Sequence, residues 1–73
     1  MPKPVLLRLI LKILELHGFY FVSQKGSHQK FSKIGRTVII PVHGKEIPYG
    51  TFRSIIKQSG LAEEDFKGKA GEL

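Results

Sequence analysis

A histidine near the middle of this chain stands between a flexible pair of residues and a cation. Residues 26–31 read GSHQKF, so His28 follows Gly26-Ser27 and precedes Lys30. Histidine can accept and return a proton near neutral pH, and a neighbouring lysine can stabilise charge on a phosphate oxygen. The spacing therefore suits cleavage of an RNA phosphodiester, in which a base removes the 2′-hydroxyl proton and that oxygen attacks the adjacent phosphorus. The alternative is that His28 is an incidental surface residue.

Charge and composition narrow the class of protein. The chain has 73 residues, a single-domain length, with 12 Lys+Arg against 6 Asp+Glu and a formal net charge of +6. This excess of cations favours a polyanionic partner such as nucleic acid, although an acidic protein would also satisfy it. The absence of cysteine excludes disulfides and thiolate metal sites. Because the three histidines lie far apart without acidic residues at ligand spacing, we expect no metal and no cofactor.

The start of the chain is apolar, but its pattern does not predict a membrane-spanning segment. Arg8, Lys12 and Glu15 interrupt PKPVLLRLILKILEL, whereas a transmembrane helix needs about 18 or more consecutive apolar residues. The following HGFYFV lacks the small residues of a signal-peptide cleavage site. We therefore expect a cytoplasmic protein with no membrane association.

Apolar periodicity predicts the elements that would position His28. Residues 4–17 read as a helix ended by Gly18, and a second helix begins near residue 51 and ends at Gly60, with one further turn allowed over 61–66. Three strands are predicted between them, at 19–24, 28–33 and 37–42, with turns at 25–27 and 34–36. The predicted fold is α+β in the order α-β-β-β-α, a three-stranded antiparallel sheet with two helices on one face. Residues 1–66 form the predicted domain, and 67–73 a flexible tail.

Strand alternation predicts the face that His28 occupies. Phe31 is the only large apolar residue of strand 28–33, so it should face the helices, and His28 and Lys30 should lie on the open face. A bulge at the glycine would shift this assignment by one residue. In the preceding strand, strict alternation places Phe19, Phe21 and Ser23 on one face, and Tyr20, Val22 and Gln24 on the other.

The chain resembles the HicA family of bacterial and archaeal toxins from about Leu6 to Phe66. The likeness lies in LHGFYFVSQKGSHQKF (16–31) and TVIIPVHGKEIPYGTFRSIIKQSGL (37–61). It implies a double-stranded-RNA-binding-like fold and a ribosome-independent, metal-independent mRNA interferase with His28 as its catalytic residue. It also implies a HicB antitoxin that covers the active face. The first helix is more apolar than is usual in the family, which suggests a contact with a second copy of the chain or with the antitoxin.

Other residues near the predicted site each have two possible roles, one functional and one structural. His43 supplies a second proton-transfer group or caps a loop, and Gly26 is required for positive φ or for close approach of RNA. Ser27 positions the scissile phosphate or shapes the turn. Tyr20 and Tyr49 stack on bases or pack internally. The predicted phosphate ligands are Lys25, Lys30, Lys33 and Arg36, and the alternative is that they form a solvated strand face. Arg53 and Lys57 would extend the RNA path or contact the antitoxin.

Two other functions fit the same residues. A non-catalytic RNA-binding module would use the same cations and fold without needing a histidine. An inactive partner-binding protein would dock its partner on the apolar first helix or on a sheet edge.

Overall fold

The structure is a computed structural model that describes residues 3–70, with side chains described for 3–66. Three strands form an antiparallel sheet in the order β2-β3-β4, and β1 pairs with β5 in a separate two-stranded ladder. The predicted α+β fold is confirmed, with the β1–β5 pair and a third helix added to it. The elements are β1 (Val5–Leu6), α1 (Leu7–Leu16), β2 (Tyr20–Lys25), β3 (His28–Lys33), β4 (Arg36–Pro41), β5 (Glu46–Ile47), α2 (Tyr49–Ser59) and α3 (Glu63–Ala70).

One hydrophobic core lies between the sheet and the helices. Along β4, the buried Val38 and Ile40 alternate with the exposed Thr37 and Ile39, so the helices cover one face of the sheet and leave the other open. The largest fully buried side chains come from α1, β4, β5 and α2, as expected for elements packed around one interior. The core residues are Ile10, Ile13, Leu14, Phe19, Val38, Ile40, Ile47, Phe52, Ile55 and Phe66.

The first helix is shorter than predicted. It starts at Leu7 rather than at residue 4, because Val5 and Leu6 are extended and pair with Ile47 and Glu46. The Leu7 N–H, which a helix end would leave without an intrahelical acceptor, donates to the Lys45 carbonyl at 2.8 Å. This bridge joins the entrance of α1 to the segment that leads into α2.

The third helix accounts for part of the broad apolar surface of α1. The single predicted turn over 61–66 is too short, since α3 runs from Glu63 to Ala70 and packs against α1. Phe66 is buried, with its ring centroid 5.2 Å from that of Phe52. Leu16 at the end of α1 remains 58% exposed. The contact of the apolar face of α1 with a second copy or an antitoxin stays a prediction. Of the predicted flexible tail, residues 67–70 continue α3, and 71–73 lie outside the described residues.

The helices can also be compared with the length and apolarity that a membrane span requires. Within residues 3–70, none of the helices is both long enough and apolar enough to span a bilayer.

A bulge in β2 changes which residues share a face. Phe21 pairs with Phe31, but Ser23 pairs with Lys30, so Val22 is the extra residue. The Phe21 and Phe31 rings meet edge to face at 5.7 Å, which places Phe21 on the helix-covered side. The prediction that Ser23 shares the face of Phe21 is therefore wrong, because the alternation restarts after the bulge.

Candidate active site

The tight turn that precedes His28 depends on a glycine. Lys25 and His28 pair directly, and the two-residue loop Gly26-Ser27 joins them. Gly26 has a φ of +59° whereas Ser27 has a negative φ, the combination found in type II′ hairpin turns. A Cβ added at Gly26 would meet no atom within 4 Å, so the backbone conformation rather than lack of space favours glycine here.

His28 and His43 lie side by side. The Val42 N–H donates to the Ser27 carbonyl at 2.6 Å, which extends the contact between β3 and the end of β4 past the His28–Pro41 pair. His43 follows immediately, and the two imidazole centroids are 6.5 Å apart with their planes at 86°. Both side chains are exposed. The structure therefore brings His43 next to His28, and its role as a second proton-transfer group or a loop cap stays a prediction.

The surface around His28 is polar and positively charged. We call it the open face; it consists of three cross-strand rows on the side of the sheet away from the helices. Residues 16–45, which include the whole sheet, contain no aspartate or glutamate. A nearby polyanion would thus meet cations without acidic side chains on the strands. The rows are Lys25–His28–Pro41, Ser23–Lys30–Ile39 and Tyr20–Ser32–Thr37.

Two of the predicted phosphate ligands lie at the other end of the sheet. The Lys33 Nζ is over the Phe19 ring, 5.7 Å from its centroid, on the helix-covered side. Arg36 pairs with Lys33, and its guanidinium makes a long 3.5 Å hydrogen bond to the Gln58 carbonyl of α2. His28 is five residues from Lys33 along β3, a separation of about 16 Å. The structure therefore does not bring Lys33 and Arg36 to the histidine pair.

The cations of α2 point away from the open face. The Gln58 Oε1 accepts a 2.8 Å hydrogen bond from the Ile39 N–H, so this side of α2 lies along the edge of β4. At about 100° per residue, Lys57 and Arg53 lie well around the helix from Gln58. Both line a shallow depression with Glu63, next to the start of α3. Contact of Arg53 and Lys57 with RNA or with an antitoxin stays a prediction.

The structure separates the two tyrosines. Tyr49 is half-buried, donates its hydroxyl to the Glu63 carboxylate at 3.0 Å, and has its ring 6.0 Å from that of Phe52. Tyr20 is 61% exposed and pairs with Ser32 on the open face. Sequence reasoning gave both tyrosines the same two interpretations, and the structure makes Tyr49 a packing residue.

The distribution of ligating side chains bears on the metal prediction. Across the described part of the chain, no three His, Cys, Asp or Glu side chains are grouped in a way that could hold a metal ion. His28 and His43 form a pair without a third such neighbour among these residues.

Comparison with known proteins identifies the family. Residues 8–61 match the family described as the HicA toxin of bacterial toxin–antitoxin systems, and the chain belongs to this family. The matched segment contains the complete sheet and α2, and hence the histidine pair. The chain is also 43% identical over 51 residues to a protein of Pseudomonas fluorescens (strain Pf0-1) named "Probable mRNA interferase HicA". That alignment covers 68% of this chain and 85% of the relative.

Proposed function

We propose that this protein is the toxin of a toxin–antitoxin pair and acts in the cytoplasm as an endoribonuclease on mRNA, without ribosome or metal ion. The observation that supports this most directly is the exposed pair His28 and His43, 6.5 Å apart on a surface without acidic residues. Membership of the HicA family supports the toxin role. The mRNA interferase name of the Pseudomonas relative supports RNA as the substrate.

In the proposed reaction the two histidines transfer protons at opposite sides of one phosphorus atom. His28 takes the proton of the 2′-hydroxyl, and the 2′-oxygen forms a bond to phosphorus. The bond from phosphorus to the 5′-oxygen breaks, and His43 gives that oxygen a proton. The products are a 2′,3′-cyclic phosphate and a 5′-hydroxyl. Lys25 and Lys30 stabilise the charge on the non-bridging oxygens, and Ser27 in the turn helps to position the phosphate.

A first experiment tests whether His28 is catalytic. The purified protein is incubated with end-labelled RNA in the presence of a chelator, and we expect cleavage. His28→Ala should lower the rate by about 10²- to 10⁴-fold, the usual contribution of a positioned acid or base. His17→Ala is the matched control, because His17 lies at the end of α1, outside the proposed site, and should leave the rate unchanged. A folded His28→Ala protein that still cleaves would reject the assignment, and binding without cleavage by the unaltered protein would favour an RNA-binding module.

A second experiment separates the roles of the two histidines. An RNA with sulfur in place of the scissile 5′-oxygen expels a leaving group that needs no proton. If His43 is the acid, His43→Ala should cut this RNA almost as fast as the unaltered protein does, while cutting ordinary RNA slowly. His28→Ala should be slow on both RNAs. Equal effects of sulfur on the two variants would contradict the division of roles.

The partner that we propose is a HicB-type antitoxin that covers the open face in a toxin–antitoxin hetero-oligomer. A self-contact through α1 would add a second toxin copy to this assembly. Mixing purified toxin with the protein encoded by the neighbouring gene should abolish RNA cleavage. His28→Ala should still bind that protein, since the variant removes one imidazole from a broad surface. Cleavage that continues in the isolated complex would contradict neutralisation at this face.

A further inference from the structure

We propose that Tyr20 is a stacking platform for an unpaired base of the RNA substrate, at the end of the open face away from His28. The inference rests on the proposed function for the position of the cut. It assigns the substrate class as single-stranded RNA that runs along the sheet from the histidine pair to Tyr20.

The bulge at Val22 places Tyr20 on this face. Tyr20 pairs with Ser32, which has the same strand parity as His28, while Lys25 pairs with His28 itself. An unbulged β2 would direct Tyr20 and Lys25 to opposite faces, because they are five residues apart. Since Val22 is the extra residue, one aromatic ring and one cation of β2 flank the same surface.

The side chain of Tyr20 is available to a ligand. It is 61% exposed, whereas Tyr49 is engaged by Glu63 and Phe52. β2 is an outer strand of the sheet, so Tyr20 also borders the depression between α1 and β2, which Lys12 and Glu15 of α1 line as well. An exposed aromatic ring beside cations is the combination that binds single-stranded nucleic acid, through base stacking and phosphate contacts.

The residue spacing along β3 gives the distance between the proposed cleavage site at His28 and the proposed stacking site at Tyr20. Ser32, the partner of Tyr20, is four residues from His28, or about 13 Å along the strand. A single strand that advances about 3.4 Å per nucleotide when stacked, and about twice that when extended, covers this distance in about two to four nucleotides. Lys30 lies in the row between them, where it can contact the connecting phosphates.

The chemistry favours a single strand over a duplex. The attacking 2′-oxygen must lie opposite the leaving 5′-oxygen, and a regular A-form helix holds the two out of line. A duplex would also keep its bases inside the helix, where Tyr20 could not stack on them. Duplex binding is therefore the competing outcome of the test.

The first test measures binding in a His28→Ala background, which prevents cleavage. The probe is a fluorescein-labelled single-stranded oligoribonucleotide of mixed sequence, and the measurement is its Kd by fluorescence anisotropy. Tyr20→Leu should weaken binding by about 5- to 150-fold, the range for loss of one aromatic–base stack, and Tyr20→Phe should change Kd by less than about twofold. Phe21→Leu is the matched control, because Phe21 is the next residue, is 54% exposed and lies on the opposite face.

Equal weakening by Tyr20→Leu and Phe21→Leu would overturn the proposal, as would unchanged binding by Tyr20→Leu. Tighter binding of duplex RNA that is insensitive to Tyr20→Leu would also overturn it. Circular dichroism confirms that each variant is folded at the assay temperature.

The second test locates the stacked base. An abasic nucleotide is placed at successive positions from the cut, and cleavage rates are compared for the unaltered protein and Tyr20→Leu. We expect one position, about two to four nucleotides from the cut, at which the abasic substitution slows only the unaltered protein. If no protein cleaves RNA, the proposed nuclease function fails, while the binding measurement still decides the role of Tyr20. If cleavage proceeds and Tyr20→Leu changes neither binding nor the abasic pattern, only the Tyr20 proposal fails.

Discussion

Replacement of Gly60 by alanine tests how α2 ends against the sheet. Gly60 follows the last residue of α2, has a φ of +74°, and donates its N–H to the Ile56 carbonyl. A Cβ at this position would collide with the guanidinium of Arg36, which bonds the Gln58 carbonyl. The substitution therefore imposes an unfavourable backbone conformation and displaces a side chain that holds β4 to α2.

The expected destabilisation comes mainly from the backbone. A left-handed conformation costs an alanine about 1–2 kcal/mol. The displaced guanidinium is the far end of a flexible exposed side chain, and its hydrogen bond is long, so its loss adds less than about 0.5 kcal/mol. The free energy of unfolding should therefore fall by about 1–2.5 kcal/mol, which corresponds to a decrease in Tm of about 4–20 °C for a domain of this size.

Thermal and urea unfolding, followed by circular dichroism, measure this change against two other glycines. Gly26 has a positive φ but no atom close to an added Cβ. Gly26→Ala should therefore lower the free energy of unfolding by about 1–2 kcal/mol. Gly50 has no positive φ and lies in the first turn of α2 with open space around an added Cβ. Gly50→Ala should therefore raise the free energy of unfolding by about 0.5–1 kcal/mol. In an Arg36→Ala background, Gly60→Ala should still lower the free energy of unfolding by almost the same amount, because most of the cost comes from the backbone. An unchanged or raised Tm for Gly60→Ala, or equal shifts for all three glycines, would refute the reasoning.

Three further predictions concern charge, a side-chain hydrogen bond and the core. With Lys25 and Lys30 as the phosphate contacts, log K for single-stranded RNA should fall with log salt at a slope of about −1.4, and Lys30→Gln should halve that slope, as measured by anisotropy titrations at several salt concentrations. Tyr49→Phe should lower the free energy of unfolding by about 1 kcal/mol in urea titrations, because it removes the hydroxyl that bonds Glu63. Phe52→Ala should lower it by about 3–5 kcal/mol and leave much of the protein unfolded in the same titrations, because Phe52 is only 2% exposed in a small core.

The face of His28 could be predicted because one residue decided it. Phe31 alone in β3 is large and apolar, so burying it directs His28 and Lys30 to the opposite side, and the structure pairs Phe31 with the buried Val38. The glycine in the turn could also be predicted, since a turn signal at 25–27 with Gly26 favours positive φ there. The structure gives Gly26 a φ of +59°. Neither inference required knowledge of the rest of the chain.

The bulge could not be read from β2 alone, because its extra residue is a valine rather than a glycine. A three-residue turn over 25–27 would pair Phe21 with Phe31 in a regular ladder. The structure keeps that apolar pair but uses a two-residue turn, so one residue is left over within the strand, at Val22. The choice depends on the energies of turn and strand together, which no local pattern displays. The length of α3 was missed for a related reason, since its helicity is supported by packing against α1.

The positions of Lys33 and Arg36 show that net charge alone would overstate the RNA-binding surface that we propose. Lys33 packs beside Gly18, just past the end of α1, and Arg36 bonds the Gln58 carbonyl near the end of α2. Helix C-termini carry unpaired carbonyls and partial negative charge, so cations are stabilising there. The β3–β4 turn thus places one cation near each of two helix ends. His28 lies at the opposite end of β3, so the cations that we propose to act on RNA are its neighbours in the β2–β3 hairpin. The proposed RNA contact surface therefore starts from the open face rather than from the total charge of +6.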